Sequence, residues 1–248
     1  MRYLFISGCG RSGTTLINKI LARHPSIVLG VERYMKLFTY SSENFAPELF
    51  EFERFFDLRS SDSGQFKNGV SEAAKMHYKA MQEKWPSASF VGDKIPTMFE
   101  RFDEVYSRFP LLLFVHITRH INEVVKSWGV RVSEGTLPSS YDYRKAVGVW
   151  NLALINSLSF YEKHPNSLLF IDYERIFQKG CLQRLFAKID PSLNYEGVEK
   201  YVNEQERKSK TLSLERLDRY LDPQVNEYIE KHARLDLYKQ VTELSVFS

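Results

Sequence analysis

Phe5-Ile6-Ser7-Gly8-Cys9-Gly10-Arg11-Ser12-Gly13-Thr14-Thr15-Leu16 reads as a buried strand, a glycine-rich turn and the start of a helix near Ser12. Such a turn lets several backbone N–H groups converge on an anion, and the helix adds its positive end. Gly8 and Gly13 have the spacing of the ATP and GTP loop G-x-x-x-x-G-K-[ST], but Thr14 occupies the lysine position. The hydroxyls of Ser12, Thr14 and Thr15 are further donors, and Arg11 is the cation available inside the loop. Without the lysine, a tight grip on a β/γ-phosphate pair with Mg²⁺ is disfavoured. Leu16, Ile17, Ile20 and Leu21 then form an apolar face that ends at His24-Pro25, supplying the strand, loop and helix that a phosphate loop requires.

The 248 residues, 43% of them hydrophobic, suit one α/β domain spanning 1–248, with no Pro/Ser-rich linker, internal repeat or low-complexity tract. A formal charge of +3, from 34 basic and 31 acidic side chains, carries no nucleic-acid footprint. Cys9 and Cys181 make neither a disulfide framework nor a metal cluster, and the six histidines are scattered, so no metal is expected. No stretch approaches the roughly 20 apolar residues of a membrane span. The N-terminus enters the first strand almost at once, so the expectation is a soluble, cytoplasmic protein.

Beyond the first helix, Ile27-Val28-Leu29 reads as a second strand leading to Glu32-Arg33-Tyr34. Residues 39–69 are rich in Phe, Glu, Asp and Ser with weak periodicity, an excursion that builds either a substrate pocket or a peripheral helix pair. A helix over Ser71 to Lys84 precedes a short strand, Ser89 to Val91, and a turn, Gly92-Asp93-Lys94-Ile95-Pro96. A helix over Thr97 to Arg108 leads to the most apolar strand, Leu111 to Ile117, followed by Thr118-Arg119-His120 and a helix through Ser127-Trp128. A long helix, Asp142 to Lys163, and a strand, Leu168 to Ile171, complete the alternation, and the remainder reads as helical and charged. The expected fold is a three-layer α/β/α arrangement of the phosphate-loop type with a central parallel sheet and a helical C-terminal part. In such a sheet ligands gather at the carboxyl ends of the strands, where every polar cluster named above falls.

The segments GCGRSGTTL, GVERY, VGDKIP and HITRHINEVVKSW, with LLFIDYERI after them, resemble the sulfotransferases that use 3′-phosphoadenosine 5′-phosphosulfate (PAPS). The resemblance covers residues 3 to about 178 and is nearest to the branch holding tyrosylprotein sulfotransferases and many bacterial enzymes. It implies sulfuryl transfer from PAPS to a hydroxyl of a small molecule, carbohydrate or peptide, leaving the product PAP. Gly10, Arg11, Ser12, Gly13, Thr14 and Thr15 would then hold the 5′ end of the nucleotide, Arg119 and Ser127 the 3′-phosphate, and Tyr173 would contact the nucleotide. Charge builds on the leaving phosphate as the S–O bond breaks, and Arg11 and Lys94 are the candidate cations to meet it. Glu32 is the candidate base for the acceptor proton, with His116 and His120 as rivals.

Plainer readings stand beside these. Lys94 could be a solvated turn residue, Arg119 could pair with Glu123 or Asp93, and Glu32 with Arg33 could form a simple salt-bridged loop. The glycine- and lysine-rich C-terminal segment of the cytosolic animal branch is absent, and the basic run Arg207-Lys208-Ser209-Lys210-Thr211 could either replace it or merely end a helix. The alternatives are an ATP-dependent kinase, for which Ile171-Asp172 resembles a Mg²⁺-binding strand end, and a nucleotide-binding protein without catalysis.

Overall fold

A computed structural model describes residues 1–66, 69–195, 198–212 and 220–247. Five parallel strands form one sheet: β1 (Arg2–Ser7), β2 (Ile27–Val31), β3 (Phe90–Lys94), β4 (Leu112–Thr118) and β5 (Leu168–Asp172), in the order β2-β3-β1-β4-β5. The helices are α1 (Thr14–Leu21), α2 (Met35–Tyr40), α3 (Phe52–Phe56), α4 (Glu72–Lys84), α5 (Phe102–Arg108), α6 (Ile121–Ser133), α7 (Tyr143–Lys163), α8 (Cys181–Ile189), α9 (Glu199–Leu212), α10 (Pro223–His232) and α11 (Leu235–Glu243).

Alternation along the strands builds two cores. Leu4 and Ile6 of β1 pack with Ile17, Ile20 and Leu21 of α1 and Leu185 and Phe186 of α8. Phe5 points to the opposite face, among Phe45, Phe50 and Phe109, while Phe114 of β4 meets Phe102 and Phe160. The result is the expected three-layer arrangement. The crossover after β1 leads to one side of the sheet and that after β4 to the other, so a crevice opens where the carboxyl ends of β1 and β4 lie side by side.

Three local readings change. Gly92-Asp93-Lys94 is not a turn but the end of interior strand β3. A Cβ on Gly92 would lie 1.8 Å from the Leu4 carbonyl oxygen, so the glycine is demanded by close contact with β1. Lys94 is therefore buried, with 2% of its surface exposed. The expected helix over 97–108 begins as a 3₁₀ segment, Pro96–Arg101, and becomes α-helical only at Phe102. Leu111, 73% exposed with φ 53°, belongs to the turn before β4 rather than to the strand.

The excursion over 39–69 owes its aromatic content to packing. Phe45, Phe50, Phe55 and Phe66 are buried in the layer beneath Phe5, joined by Tyr34, whose hydroxyl donates to the Leu49 carbonyl. At the C-terminal end, Ser245 bridges to Phe170 beside β5, and its hydroxyl accepts the Asp172 N–H. No helix among the described residues is long and apolar enough to cross a membrane.

Candidate functional site

The loop after β1 is closed by Ser12 N–H donating to the Cys9 carbonyl at 3.0 Å. Gly13 precedes the first residue of α1 with φ 101° and brings no side-chain cap, so the first N–H groups of the helix remain open to an anion. Its hydrogen is also required by space, because a Cβ would stand 2.4 Å from the Tyr173 ring. Ser12 is fully buried, and its Oγ has no hydrogen-bond partner among the described residues. A polar atom stranded in this way beside an uncapped helix suits an anionic ligand. Cys9 is no nucleophile here, since burial pushes its thiol up to about 12.

Helix α6 clasps the loop from one side. Arg11 Nε donates to Ser127 Oγ at 3.0 Å, and Trp128 Nε1 donates to the Gly10 carbonyl at 3.0 Å. Burial, then the charges of Arg131 and Arg119, hold the Arg11 guanidinium below its ordinary value. Arg131 is itself paired with Glu134 at 3.4 Å, and Glu134 partly offsets the positive charge around Arg11. Arg119, just after β4, stacks over the Tyr173 ring at 4.2 Å and pairs with Glu123 at 3.3 Å. Its Nε is buried and 3.7 Å from the Glu174 carboxylate, too far for a hydrogen bond, and is left without one.

On the other side of β1, the ends of β2 and β3 bring Glu32 and Lys94 together. Val31 is in register with Lys94, and Glu32 N–H donates to the Lys94 carbonyl at 2.9 Å. Lys94 Nζ reaches Glu32 Oε1 at 2.6 Å. The ammonium is buried while the carboxylate is one-third exposed, so the pair opens toward solvent on its acidic side. Asp93 braces the turn: Oδ1 accepts from the N–H groups of Arg33 (3.1 Å) and Lys94 (2.9 Å), and Oδ2 from that of Tyr34 (2.9 Å). Burial pushes the Asp93 carboxyl up to about 7, against the pull of those N–H groups and of the Lys94 and Arg33 charges.

Arg33 does not pair with Glu32. It turns into the excursion, where Nη1 donates to Asp62 at 2.6 Å, Nε to the Phe55 carbonyl at 3.1 Å and Nη2 to the Asp57 carbonyl at 2.6 Å. Arg54 closes on the same Asp62 carboxylate. Burial alone would raise the Asp62 carboxyl, but the hydrogen bonds from Arg54 and Arg33 hold it below the ordinary carboxylate value. The residue next to Glu32 is thereby tied to a buried ionic knot.

The residues singled out from sequence collect at one edge of the sheet in two groups. Gly10 to Thr15, Arg119, Ser127 and Tyr173 surround the loop, and Glu32 pairs with Lys94 at the neighbouring strand ends. Arg11 lies with Ser127, and the ionic partner of Lys94 is Glu32. His116 is buried among Phe99, Phe102 and Phe170 with its Nδ1 unpartnered, and burial brings its imidazole down to about 3. His120 caps α6 by accepting the Asn122 N–H at 3.3 Å. Asp172 accepts the Glu174 N–H at 3.1 Å in the turn after β5. Side chains 208–211 of the basic run lie outside the described residues.

Sequence reasoning passed over Trp128, Arg131 and Asp93. Arg131 follows Ser127 by one helical turn, a spacing that could have flagged it. The roles of Trp128 and Asp93 depend on segments distant in the chain.

A family model described as the sulfotransferase family matches residues 4–190. No curated protein matches by sequence. Among solved structures, a sulfotransferase from Alicyclobacillus acidocaldarius is 13% identical with a TM-score of 0.56, covering 98% of this chain and 96% of that one. Mouse sulfotransferase SULT7A1 complexed with PAP is 13% identical with a TM-score of 0.52, covering 98% and 87%. A sulfotransferase domain from the curacin biosynthetic pathway is 23% identical with a TM-score of 0.52, covering 76% and 74%. At these identities the likeness concerns the fold.

Proposed function

Because the chain belongs to the sulfotransferase family, we propose that it transfers a sulfuryl group from PAPS to a hydroxyl acceptor, with Glu32 as general base and Lys94 as the cation at the leaving phosphate. The observation that carries this reading is the 2.6 Å contact between Lys94 Nζ and Glu32 Oε1, at strand ends next to the uncapped start of α1. PAPS supplies the activated sulfuryl group. In the transfer an acceptor O–S bond forms and the S–O bond to the 5′-phosphate breaks, the acceptor proton passing to the Glu32 carboxylate.

The protein's part is positional and electrostatic. The ion pair orients the Glu32 carboxylate, and an ammonium has three donors, of which Glu32 takes one. The others can meet charge where it develops, inside a buried setting that strengthens the interaction. The N–H groups from Gly10 to Thr15 and the Ser12 hydroxyl hold the 5′ end. Arg119, Ser127 and Arg11 hold the 3′-phosphate, with Tyr173 against the nucleotide. Arg11 gives only its Nε to Ser127, and its Nη donors remain for the leaving phosphate. The acceptor is a small-molecule, carbohydrate or peptide hydroxyl.

A thermal-shift comparison of PAP, AMP and ATP–Mg²⁺ tests the nucleotide, since preferential binding to the folded state raises the melting temperature. PAP should stabilise most, and ATP–Mg²⁺ exceeding PAP would turn the reading to a kinase. With labelled PAPS and an accepted alcohol, Glu32→Gln and Lys94→Ala should each lower kcat by roughly 10²–10⁴-fold. Unchanged turnover in both would remove their assigned roles.

A further inference from the structure

Helix α7 runs for 21 residues and buries one side, with Val147, Trp150, Leu154 and Leu158 in the core. Its other side carries Lys145, Gly148, Leu152, Ile155, Ser159 and Glu162, all of them exposed. The steps between them are 3, 4, 3, 4 and 3 residues, the seam spacing of a coiled coil. At the middle, Leu152 and Ile155 stand one helical turn apart and are 42% and 43% exposed. Asn151 accepts the Arg234 N–H on one flank, and Lys163 pairs with Asp103 on the other, so the turn before α11 and helix α5 border the seam without covering it.

The seam reads the same in reverse. Lys145 and Glu162, Gly148 and Ser159, and Leu152 and Ile155 each stand equally far from a point between residues 153 and 154. Laid antiparallel on a second α7, it sets cation against carboxylate at both ends, small residue against small residue next to them, and apolar against apolar at the centre. A parallel copy would set Lys145 against Lys145 and Glu162 against Glu162. The neighbours Arg144 and Lys163 already pair with Asp142 and Asp103, whereas Lys145 and Glu162 are in no ion pair among the described residues. Lys145 Nζ rests over the Tyr141 ring at 3.7 Å, a contact that leaves its donors for a carboxylate.

We propose that a second copy of this chain docks on the exposed side of α7, the two helices antiparallel about a twofold axis at residues 153–154. Such an interface is isologous, so every contact occurs twice. The seam is about 25 Å long at about 1.5 Å per residue, which with its two flanks makes a contact of the small, dissociable class. The proposal stands independently of the transfer chemistry.

Sedimentation velocity on the full chain, over about 1–200 μM, tests it. The wild type should pass from monomer to dimer within that range, and Leu152→Asp should weaken association by more than about tenfold by placing two carboxylates in the apolar centre. Lys145→Glu and Glu162→Lys should each weaken it by about tenfold, because each turns two attractive contacts into two repulsive ones. Both substitutions suit the helix itself, putting an acid in its first turn and a base in its last, so lost association is not lost folding, and unchanged far-ultraviolet circular dichroism checks this. The two single variants mixed in equal amounts should associate as the wild type does, and so should the double variant, since each arrangement again opposes unlike charges. A wild type that stays monomeric throughout overturns the proposal, as does a dimer indifferent to Leu152→Asp. Failure of both the mixture and the double variant to recover association overturns the antiparallel pairing on which it stands.

Discussion

Replacing Asp62 by asparagine alters one atom of the knot behind Glu32 and should destabilise the fold by about 3–5 kcal/mol. Asp62 is 1% exposed and Arg33 is fully buried. The carboxylate accepts from Arg33 Nη1 at 2.6 Å and from Arg54 Nη1 and Nη2 at 2.9 and 2.7 Å. An amide in its place turns one oxygen into a donor facing a donor and leaves the Arg33 charge without a counterion. A lost charge-assisted hydrogen bond alone is worth about 1.5–3 kcal/mol, and the stranded charge adds the rest. Set against a typical total of about 5–15 kcal/mol, this is a large fraction. Urea denaturation is the assay. With a slope of about 3 kcal/mol/M the midpoint should fall by about 1 M or more. The contribution also has a pH signature. Since the folded carboxyl titrates below its ordinary value, its stabilisation is present above the ordinary carboxylate range and is lost as pH falls through the lower folded value; Asp62→Asn lacks this dependence. Because Arg33 adjoins Glu32, kcat should fall more than affinity for PAP. A midpoint shift below about 0.3 M would show that water reaches Arg33 and would refute the buried-knot argument.

Other outcomes follow from single contacts. His116 stays neutral in the fold down to about pH 3, so the unfolded chain binds the extra proton between there and the ordinary histidine range and stability should fall on acidification through that window; His116→Leu should flatten this part of the denaturation profile. Gly13→Ala places a methyl group against the Tyr173 ring with φ at 101° and should abolish stabilisation by PAP, with full retention of PAP binding counting against the loop geometry. Trp128→Phe removes the 3.0 Å bond to the Gly10 carbonyl and part of a buried ring, and should cost about 1–3 kcal/mol in denaturation and weaken PAP. A substitution that left both unchanged would make the clasp incidental.

The alternation of strands and helices was legible because its signals are local: apolar runs such as Leu112 to Ile117, and glycines spaced about a phosphate. Local signals also misled. Gly92-Asp93 has the composition of a turn, and only the Leu4 carbonyl, supplied by a distant strand, makes it a strand interior. The excursion gave only weak periodicity because its aromatic residues pack from short 3₁₀ turns and two brief helices rather than from one regular face. For the candidate site, residue types at strand ends could be read, whereas partners could not. That Arg33 would choose Asp62 over Glu32, and that Arg11 would lie on Ser127, depends on side chains meeting across 29 and 116 positions of sequence.

Arg11 and Glu32 share a backbone property with few other non-glycine residues here: both sit at positive φ, 75° and 53°. A left-handed conformation costs a residue bearing a Cβ roughly 1–2 kcal/mol that glycine escapes. At Arg11 glycine should therefore give a sturdier protein and a poorer enzyme, whereas at Glu32 it would also strand the buried Lys94 ammonium and cost more than the backbone relief returns. At both places the chain sets a charged side chain against its own backbone preference, and it is there that the proposed chemistry would sit.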